Sequence, residues 1–442
     1  MTPDRIPYAS LVQQVIEAVV RGDCVSIIGL SNTGKSTLMR GMAGAAAEEV
    51  YQKASKRPGS LIYVDCNRAV DLSAQAFYEV VLRSALERMG DDWSPELTEA
   101  LRNHYQAITE ADNAFAASLA FNLALTDLCE QLGEDVCLLI DEFDEIYNVL
   151  EERALLNLRA LRDRFHDRLA YVTATVRTLP QTRESEVQDE FAELFSRAIV
   201  CMPLLDQEEA FELVRRQQLH KLGKDRLEAC WHLAGGHPGL LLASAQTLAA
   251  LPKQWQGDLE ATLRAAPGPR SECMKIWNQL TKREQQGLIT LVLEPQAGLN
   301  RTQIEELTKL GLLEDRTAFS PVFAEFVARR GRGPEVTTEG VALDADAGDV
   351  WVDGVRIPVL TDLEFRLLKL LFDRRDKLTN KYRIVMNVWG EEYLGDVDDA
   401  RVEKLVSRLR SKIEPDPATP RYLITQRGRG YKLLSRPISH GS

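Results

Sequence analysis

The stretch from Cys24 to Val50 constrains the fold more than any other part of this chain. Its first residues, Cys24–Leu30, form an apolar run that is typical of a short buried strand. The next residues, Gly29–Ser36, have the pattern Gly-x-x-x-x-Gly-Lys-Ser, and a helical pattern follows. Between a strand and a helix, such glycines let backbone N–H groups surround phosphate oxygens, and the helix N-terminus adds partial positive charge. The stretch therefore predicts a phosphate-binding loop.

The side chains of this loop have separate expected roles. Lys35 is expected to reach the β- and γ-phosphates of ATP as a positive charge and thereby to assist catalysis. Ser36 is expected to give its hydroxyl to Mg²⁺. We expect contacts to ATP or ADP from the whole loop, which consists of Gly29, Leu30, Ser31, Asn32, Thr33, Gly34, Lys35, Ser36 and Thr37.

Two acidic residues end a second apolar run. The run Val136–Asp141 predicts a buried strand, and Glu142 follows it directly. Ligands of open α/β sheets bind at the carboxyl ends of the strands. Asp141 is therefore expected to hold Mg²⁺ with the loop serine, and Glu142 to orient or deprotonate the attacking water. Solvated acids at a strand end are the alternative, and we assign the next pair, Asp144 and Glu145, to such a solvated face.

Buried-strand patterns alternate with long helical patterns in the first half of the chain. Leu61–Cys66 and Leu169–Thr175 are two further patterns of this kind. Strands that alternate with helices imply a parallel sheet with right-handed crossovers. We therefore predict an α/β P-loop NTPase fold, followed by a helical lid and by a small helical unit with a wing-like turn in Gly311–Phe323.

A tripeptide at the end of a predicted strand resembles the phosphate sensor of the AAA+/STAND class of signal-transducing ATPases. It consists of Thr175, Val176 and Arg177, although the class often has serine where Val176 stands. The resemblance implies that Thr175 or Arg177 senses the γ-phosphate of ATP. From the residues alone, Thr175 also fits a plain strand residue and Arg177 a surface arginine. Arg197 fits a surface arginine better than a finger that reaches a neighbouring subunit.

The segment Gly235–Leu241 resembles the Gly-x-Pro motif in the helical lid of the same class. The resemblance implies that His237 and Pro238 contact the nucleotide from the lid. The residues alone also fit a helix that begins at Pro238, because proline suits the first helical position, with His237 as its cap. This resemblance covers about residues 1–330 and includes a middle winged-helix module.

The C-terminal segment is basic within an acidic chain. The formal net charge of the chain is −12, yet residues 401–435 hold nine Lys/Arg and three Asp/Glu. On a helix, Arg401, Lys404 and Arg408 share one face, and an apolar stripe lies beside them. A recognition helix for the major groove of double-stranded DNA needs this arrangement. A solvated basic helix in a protein-interaction module is the alternative.

Four ordered motifs in this region resemble the OmpR/PhoB-type winged helix. They are Thr361–Leu368, Val388–Gly390, Val406–Ile413 and Thr425–Tyr431, and a predicted β-meander precedes them. The resemblance spans about residues 340–435 and implies an α+β winged helix-turn-helix domain that binds double-stranded DNA. The predicted DNA contacts come from the helix and from a hairpin and comprise Arg401, Lys404, Arg408, Arg410, Arg427 and Arg429.

These patterns also predict domain boundaries. The best linker is a segment rich in Gly, Thr and charged residues, which is typical of loops. We expect an ATPase core at 1–204, a helical lid at 205–265, a winged-helix module at 266–332, a linker at 333–340 and a DNA-binding domain at 341–436.

Composition argues against several other classes of protein. With 45% apolar and 27% charged residues, the chain is typical of a globular protein. Its seven cysteines lack metal-ligand spacing, so we expect a reducing cytosol, with neither a disulfide framework nor a zinc site. We expect no signal peptide, no membrane span and hence a cytoplasmic location.

Together these patterns predict a slow, regulatory ATPase that switches a DNA-binding transcriptional regulator. Nucleotide state is expected to control its conformation or its assembly into a homo-oligomer, in response to an unidentified protein or ligand. Two alternatives stay open: a defence sensor of the STAND type, and an AAA+ DNA loader or transposition regulator. The first normally has an effector domain or a long repeat sensor, and the second would form rings or filaments on DNA of arbitrary sequence.

Overall fold

The computed structural model describes residues 8–89, 93–183, 190–217, 219, 222–252, 254–332, 340–344, 349–357, 360–390 and 399–435. Within these ranges no helix has both the length and the apolar character needed to cross a membrane. All seven cysteines are free thiols, and all except Cys201 are buried, which suits a small apolar side chain. The predicted linker at 333–340 lies outside the described residues except for Gly340.

A five-stranded parallel sheet forms the centre of the first half of the chain. Its order is β2-β3-β4-β1-β5, and every neighbouring pair runs parallel. This confirms the predicted α/β fold. The strands are β1 (Val25–Ile28), β2 (Gly59–Asp65), β3 (Asp135–Asp141), β4 (Leu169–Thr175) and β5 (Ile199–Cys201).

Helices connect these strands, and several begin at a residue whose side chain caps the first turn. Ser73, Ser94 and Asn113 each accept a hydrogen bond from the backbone N–H three residues later. The helices are α1 (Ala9–Val20), α2 (Lys35–Met42), α3 (Ala45–Ala54), α4 (Ala74–Arg88), α5 (Pro95–Thr109), α6 (Ala114–Gln131), α7 (Asp144–Val149), α8 (Glu152–Arg164), α9 (Leu179–Thr182) and α10 (Glu190–Glu193), with a 3₁₀ turn at Cys66–Arg68.

Alternate residues of β3 belong to different hydrophobic cores. Cys137 and Leu139 pack in one core, whereas Val136, Leu138 and Ile140 pack in the other. This separation follows from the two-residue period of a strand. The sheet is thus buried on both faces, as a parallel sheet requires, and ligands are expected at the carboxyl edge of its strands.

A series of helices follows the sheet and shares its first core. Leu240, Trp277 and Val327 all belong to the same cluster as Cys137 and Leu139. A short hairpin of β6 and β7 confirms the predicted wing-like turn. The elements are α11 (Gln207–Arg216), α12 (Lys224–Ala234), α13 (Pro238–Ala249), α14 (Leu259–Ala265), α15 (Pro267–Asn278), α16 (Lys282–Leu293), α17 (Arg301–Lys309), β6 (Leu313–Glu314), β7 (Thr317–Ala318) and α18 (Pro321–Arg332).

The C-terminal part has a core of its own. That core runs from Val341 to Leu433 and, among the described residues, shares no member with the other two. A three-stranded antiparallel sheet opens this part, and a two-stranded hairpin closes it, which confirms the predicted winged helix. The elements are β8 (Val341–Asp344), β9 (Asp349–Val352), β10 (Val355–Arg356), α19 (Asp362–Asp373), α20 (Lys381–Val388), α21 (Asp399–Ile413), β11 (Leu423–Gln426) and β12 (Gly430–Leu433).

Candidate nucleotide site and candidate nucleic-acid interface

The glycine-rich loop connects β1 to α2 as the sequence predicts. Gly34 precedes α2 with φ 96°, a left-handed conformation that glycine adopts without strain. Lys35 is buried, and its Nζ donates to Gly29 O at 2.7 Å and to Leu30 O at 3.2 Å. Burial lowers the pKa of Lys35, although nearby carboxylates oppose the change. The loop therefore holds a buried ammonium group where phosphates are expected.

The two acids predicted at the end of β3 lie beside this loop. Asp141 is fully buried, and it accepts hydrogen bonds from Tyr63 Oη at 2.8 Å and from the backbone N–H of Glu142 at 3.0 Å. Glu142 has φ 53°, and its Oε1 lies 3.5 Å from Ser36 Oγ. Tyr63, whose hydroxyl fixes the Asp141 carboxylate, belongs to no local motif and was not predicted from the sequence.

Burial raises the pKa of Glu142, and the neighbouring Asp141 adds to this effect while Lys35 opposes it. A carboxylate with a raised pKa is a stronger base than an ordinary one. The prediction that Asp144 belongs to a solvated face is wrong. Asp144 is partly buried, and its Oδ1 accepts a hydrogen bond from the backbone N–H of Val176 at 2.9 Å. It is the first residue of α7, and it joins the end of β3 to the end of β4.

The oxygens around the loop fit a magnesium ion. Mg²⁺ prefers oxygen ligands and is usually bound through one or two carboxylates together with phosphate oxygens and water. Ser36 and Asp141 offer a hydroxyl and a carboxylate, and each of them contacts Glu142. Their roles as metal ligands therefore stay predictions that the donor types support.

The residues resembling a phosphate sensor lie at the end of β4. Thr175 is buried, and its hydroxyl donates to Arg177 O at 2.6 Å. The guanidinium of Arg177 points to the helical units, where it contacts Glu284 and Gln279 O. Arg197, the candidate finger, is exposed. The structure thus places Arg177 beside the loop but engages it with α16.

His237 caps α13 and Pro238 is its first residue, as the residues alone predict. His237 is the N-cap, and its Nδ1 accepts a hydrogen bond from Leu240 N at 3.3 Å. Burial lowers the pKa of His237 to about 4, so the imidazole is neutral near pH 7. The backbone N–H of Gly239 donates to Asn32 O at 3.1 Å, which places this segment directly against the loop.

Two further residues contact the loop that the sequence did not reveal. Gln279, at the end of α15, hydrogen-bonds to Ser31, and Glu272 in the same helix hydrogen-bonds to Asn32. These pairs are 248 and 240 positions apart in the chain. Sequence motifs are local, so they carry no signal for contacts at this separation.

The predicted recognition helix is α21. Its apolar stripe is buried, which leaves Arg401, Lys404 and Arg408 exposed on the other side. Arg427 and Arg429 are exposed at the tip of the β11–β12 hairpin, where Gly428 has φ 71°. These five side chains are placed as the prediction of a DNA contact requires.

Arg410 is placed differently from the prediction of a DNA contact. It is half-buried, and its guanidinium donates to Leu423 O at 2.6 Å and to Thr425 Oγ1 at 2.7 Å. Desolvation lowers the pKa of Arg410. The side chain therefore ties α21 to β11. Lys412 and Glu364 form a second such tie, from α21 to α19, at 2.7 Å.

Known proteins resemble this C-terminal part. The family model described as transcriptional regulatory protein, C terminal, matches residues 357–433, which therefore form a domain of that family. A relative in Bacillus subtilis, the uncharacterized transcriptional regulatory protein YrkP, is 43% identical over 85 residues, which is 19% of this chain and 36% of the relative. The sensory transduction protein RegX3 of Mycobacterium tuberculosis is 42% identical over 93 residues, which is 21% of this chain and 40% of the relative. The chain thus spans about two fifths of the length of these relatives.

Several solved structures are also similar to parts of the chain. The Aeropyrum pernix ORC2 protein is 13% identical, and the alignment covers 75% of this chain and 96% of that one with a TM-score of 0.43. A Walker-type ATPase of Pyrococcus abyssi is 17% identical, with coverages of 74% and 97% and a TM-score of 0.45. The DNA-binding domain of RstA from Klebsiella pneumoniae is 22% identical, with coverages of 24% and 100% and a TM-score of 0.21.

Proposed function

We propose that this chain is an ATP-dependent switch that regulates transcription by binding double-stranded DNA through its C-terminal domain. One observation supports the proposal: a glycine-rich loop with the pattern Gly-x-x-x-x-Gly-Lys-Ser, beside an acidic strand end, occurs in the same chain as a domain of the transcriptional regulator family. The switch is slow and regulatory in this proposal, because its output is a protein conformation rather than a metabolite.

The nucleotide site contributes binding and hydrolysis. The loop Gly29–Thr37 surrounds the phosphates with backbone N–H groups, and Lys35 contributes a positive charge. Ser36 and Asp141 would hold Mg²⁺, which would supply further positive charge at the phosphates. Glu142 accepts a proton from the attacking water, a task that its raised pKa favours.

The coupling to the rest of the chain runs through α13, α15 and α16. These helices contact the loop, or Arg177 after β4, through Gly239, Gln279 and Glu284. A ligand shifts a conformational equilibrium only by its different affinity for the two states. Residues that touch both the loop and these helices supply that difference here. The consequence is a changed presentation or spacing of the DNA-binding domains, in a monomer or a homo-oligomer.

DNA recognition is divided between helix and hairpin. Arg401 and Lys404, early in α21, reach base edges in the major groove, where arginine discriminates guanine. Arg427 and Arg429 in the hairpin contact phosphates, which gives affinity without sequence preference.

Footprinting of the purified full-length protein on genomic fragments tests this function. The protein is incubated with ADP and then with ATP, and the protected sites are mapped. We expect discrete protected sites whose occupancy differs between the two nucleotides. Equal occupancy with ADP, with ATP and without nucleotide would contradict the nucleotide-dependent switch. If none of the fragments were protected, the DNA-binding function would be contradicted.

A further inference from the structure

Helix α15 supplies acceptors to the phosphate-binding loop. The backbone N–H of Ser31 donates to Gln279 Oε1 at 2.7 Å, and Gln279 Nε2 donates to the Ser31 hydroxyl. Asn32 Nδ2 donates to Glu272 Oε2 at 2.7 Å. Two adjacent loop residues are therefore bound by two side chains of one helix.

The loop is also in close steric contact with α13 and α15. A Cβ at Gly239 would lie 2.6 Å from Asn32 Cβ and 2.7 Å from Glu272 Oε2, so the approach requires glycine at this position. Lys35 is engaged as well, because its Nζ donates to Gly29 O and Leu30 O. Two of the groups that the sequence assigns to phosphate, the Ser31 N–H and the Lys35 ammonium, therefore already donate to protein atoms.

These contacts conflict with phosphate binding at the same atoms. A backbone N–H carries a single proton and donates one strong hydrogen bond. The Ser31 N–H cannot serve both Gln279 and a phosphate oxygen at full strength. Glu272 adds a negative charge beside the loop, which Lys275 balances in part through an ion pair at 2.7 Å, and the remaining charge repels phosphate. Nucleotide phosphates thus meet both a competing acceptor and a repulsive carboxylate.

We propose that α15 competes with nucleotide for the loop, so that Gln279 must release Ser31 before phosphates are bound fully. This inference rests on the proposed nucleotide binding and names its regulation. Nucleotide entry then displaces α15 from the loop, and any partner that holds α15 in place keeps nucleotide out. A lid that merely retains nucleotide predicts the opposite change in affinity, because loss of its contacts weakens nucleotide binding.

The sign of one substitution decides between these two roles. The parent, Gln279→Ala and Gln279→Glu are titrated with a fluorescent ADP and a fluorescent ATP analogue in equilibrium and stopped-flow measurements. Loss of a neutral hydrogen bond corresponds to about threefold to tenfold in affinity. We expect Gln279→Ala to bind both nucleotides about threefold to tenfold more tightly, mainly through faster association. We expect Gln279→Glu to bind more weakly, since it keeps an acceptor and adds a negative charge.

Gln246→Ala is the matched control, because Gln246 is an exposed glutamine of α13. It should bind like the parent, and thermal unfolding should show that all variants are folded. Hydrogen exchange of the loop peptide adds a second readout, since Gln279→Ala should expose the Ser31 amide. Equal or weaker nucleotide binding by Gln279→Ala overturns the competition. If neither the parent nor Gln279→Ala binds nucleotide, the proposed function itself fails, which is a different result.

Discussion

Arg177 at the end of β4 and Glu284 in the first turn of α16 form a two-pronged ion pair. Nη1 lies 2.9 Å from Oε1, and Nη2 lies 2.7 Å from Oε2. The side chains are only 17% and 9% exposed, so salt screens the pair weakly. Arg177 also donates to Gln279 O, which adds the end of α15 to the same contact. The end of β4 is thereby joined to both α15 and α16.

Glu284→Gln tests this contact through stability. Burial alone would raise the pKa of Glu284, but hydrogen bonds from Arg177 and Thr281 hold it below its usual range. A lowered carboxyl pKa stabilises the fold above the ordinary value of about 4.3, and the gain is lost as the pH falls through the folded-state pKa. We expect Glu284→Gln to lower the free energy of unfolding by about 1–3 kcal/mol at pH 7. Denaturant titrations from pH 7 downwards should show this difference shrink once the pH falls below the ordinary glutamate range. A pH-independent difference would contradict the ion pair. Glu306 is a control because its side chain is 42% exposed, so Glu306→Gln should cost below about 1 kcal/mol.

Lys35→Ala tests the nucleotide site. The substitution removes the ammonium group expected to meet the phosphates, so ATP and ADP binding should be lost in a calorimetric titration. Lys53→Ala, an exposed lysine of α3, should bind as the parent does. Unchanged affinity of Lys35→Ala would show that the loop is not the nucleotide site.

Glu142→Gln separates binding from hydrolysis. Glutamine keeps the size and polarity of the side chain but cannot accept the proton of water. ATP binding should persist, while steady-state hydrolysis should fall at least about a hundredfold. Because the pKa of Glu142 is raised, hydrolysis by the parent should decline on acidification while the pH is still above the ordinary glutamate range. Turnover of Glu142→Gln equal to that of the parent would remove Glu142 from the mechanism.

His237→Asn tests the buried lid histidine. The folded protein holds the pKa of His237 at about 4, against about 6.5 when it is unfolded, so the unfolded chain takes up the proton first. Stability should therefore fall as the pH drops from about 6.5 to about 4, by about 3 kcal/mol from this residue. Asparagine keeps a cap for α13 but does not titrate. The free energy of unfolding should depend less on pH in the variant across this window. An equal pH dependence in the parent and the variant would contradict the lowered pKa of His237.

Substitutions of arginines in the C-terminal domain should have three different effects. Alanine at both Arg427 and Arg429 should weaken binding to all duplexes alike and flatten the slope of log K against log salt by up to about 0.9 per lost phosphate contact. Arg401→Ala should instead reduce the preference for the specific site by about 1–3 kcal/mol. Arg410→Ala should act mainly on the stability of the C-terminal domain, because its guanidinium is bound to β11. Binding titrations and thermal unfolding of the full-length protein measure these effects. Intact salt-dependent affinity after loss of both hairpin arginines would remove the hairpin from the interface.

The sequence predicted the nucleotide loop and the acidic strand end because their residues are neighbours in the chain. The strands β1–β4 were predicted because they are buried on both faces and therefore mostly apolar. The three-residue strand β5 was not predicted, since it is too short for a period and begins with the exposed Ile199.

The position of Arg410 away from the basic face could have been predicted from helical spacing. Arg401, Lys404 and Arg408 lie at three- and four-residue steps on one helical face, whereas Arg410 is two positions beyond Arg408. Residues two apart on a helix do not face the same side. Helical spacing alone therefore separates Arg410 from the basic face. In contrast, the contact between Arg177 and Glu284 spans 107 positions and depends on tertiary packing that no local pattern encodes.

The core that runs from the sheet into the later helices has a consequence for assembly. Leu240, Trp277 and Val327 are buried with strand residues such as Leu139, so moving these helices off the sheet bares a continuous apolar surface. Each square ångström of such surface costs about 25 cal/mol in water. A form in which the helices have swung away therefore lowers its free energy by covering that surface with another molecule. Self-association of this kind would be hidden while the helices are docked, and it would depend on protein concentration once they part.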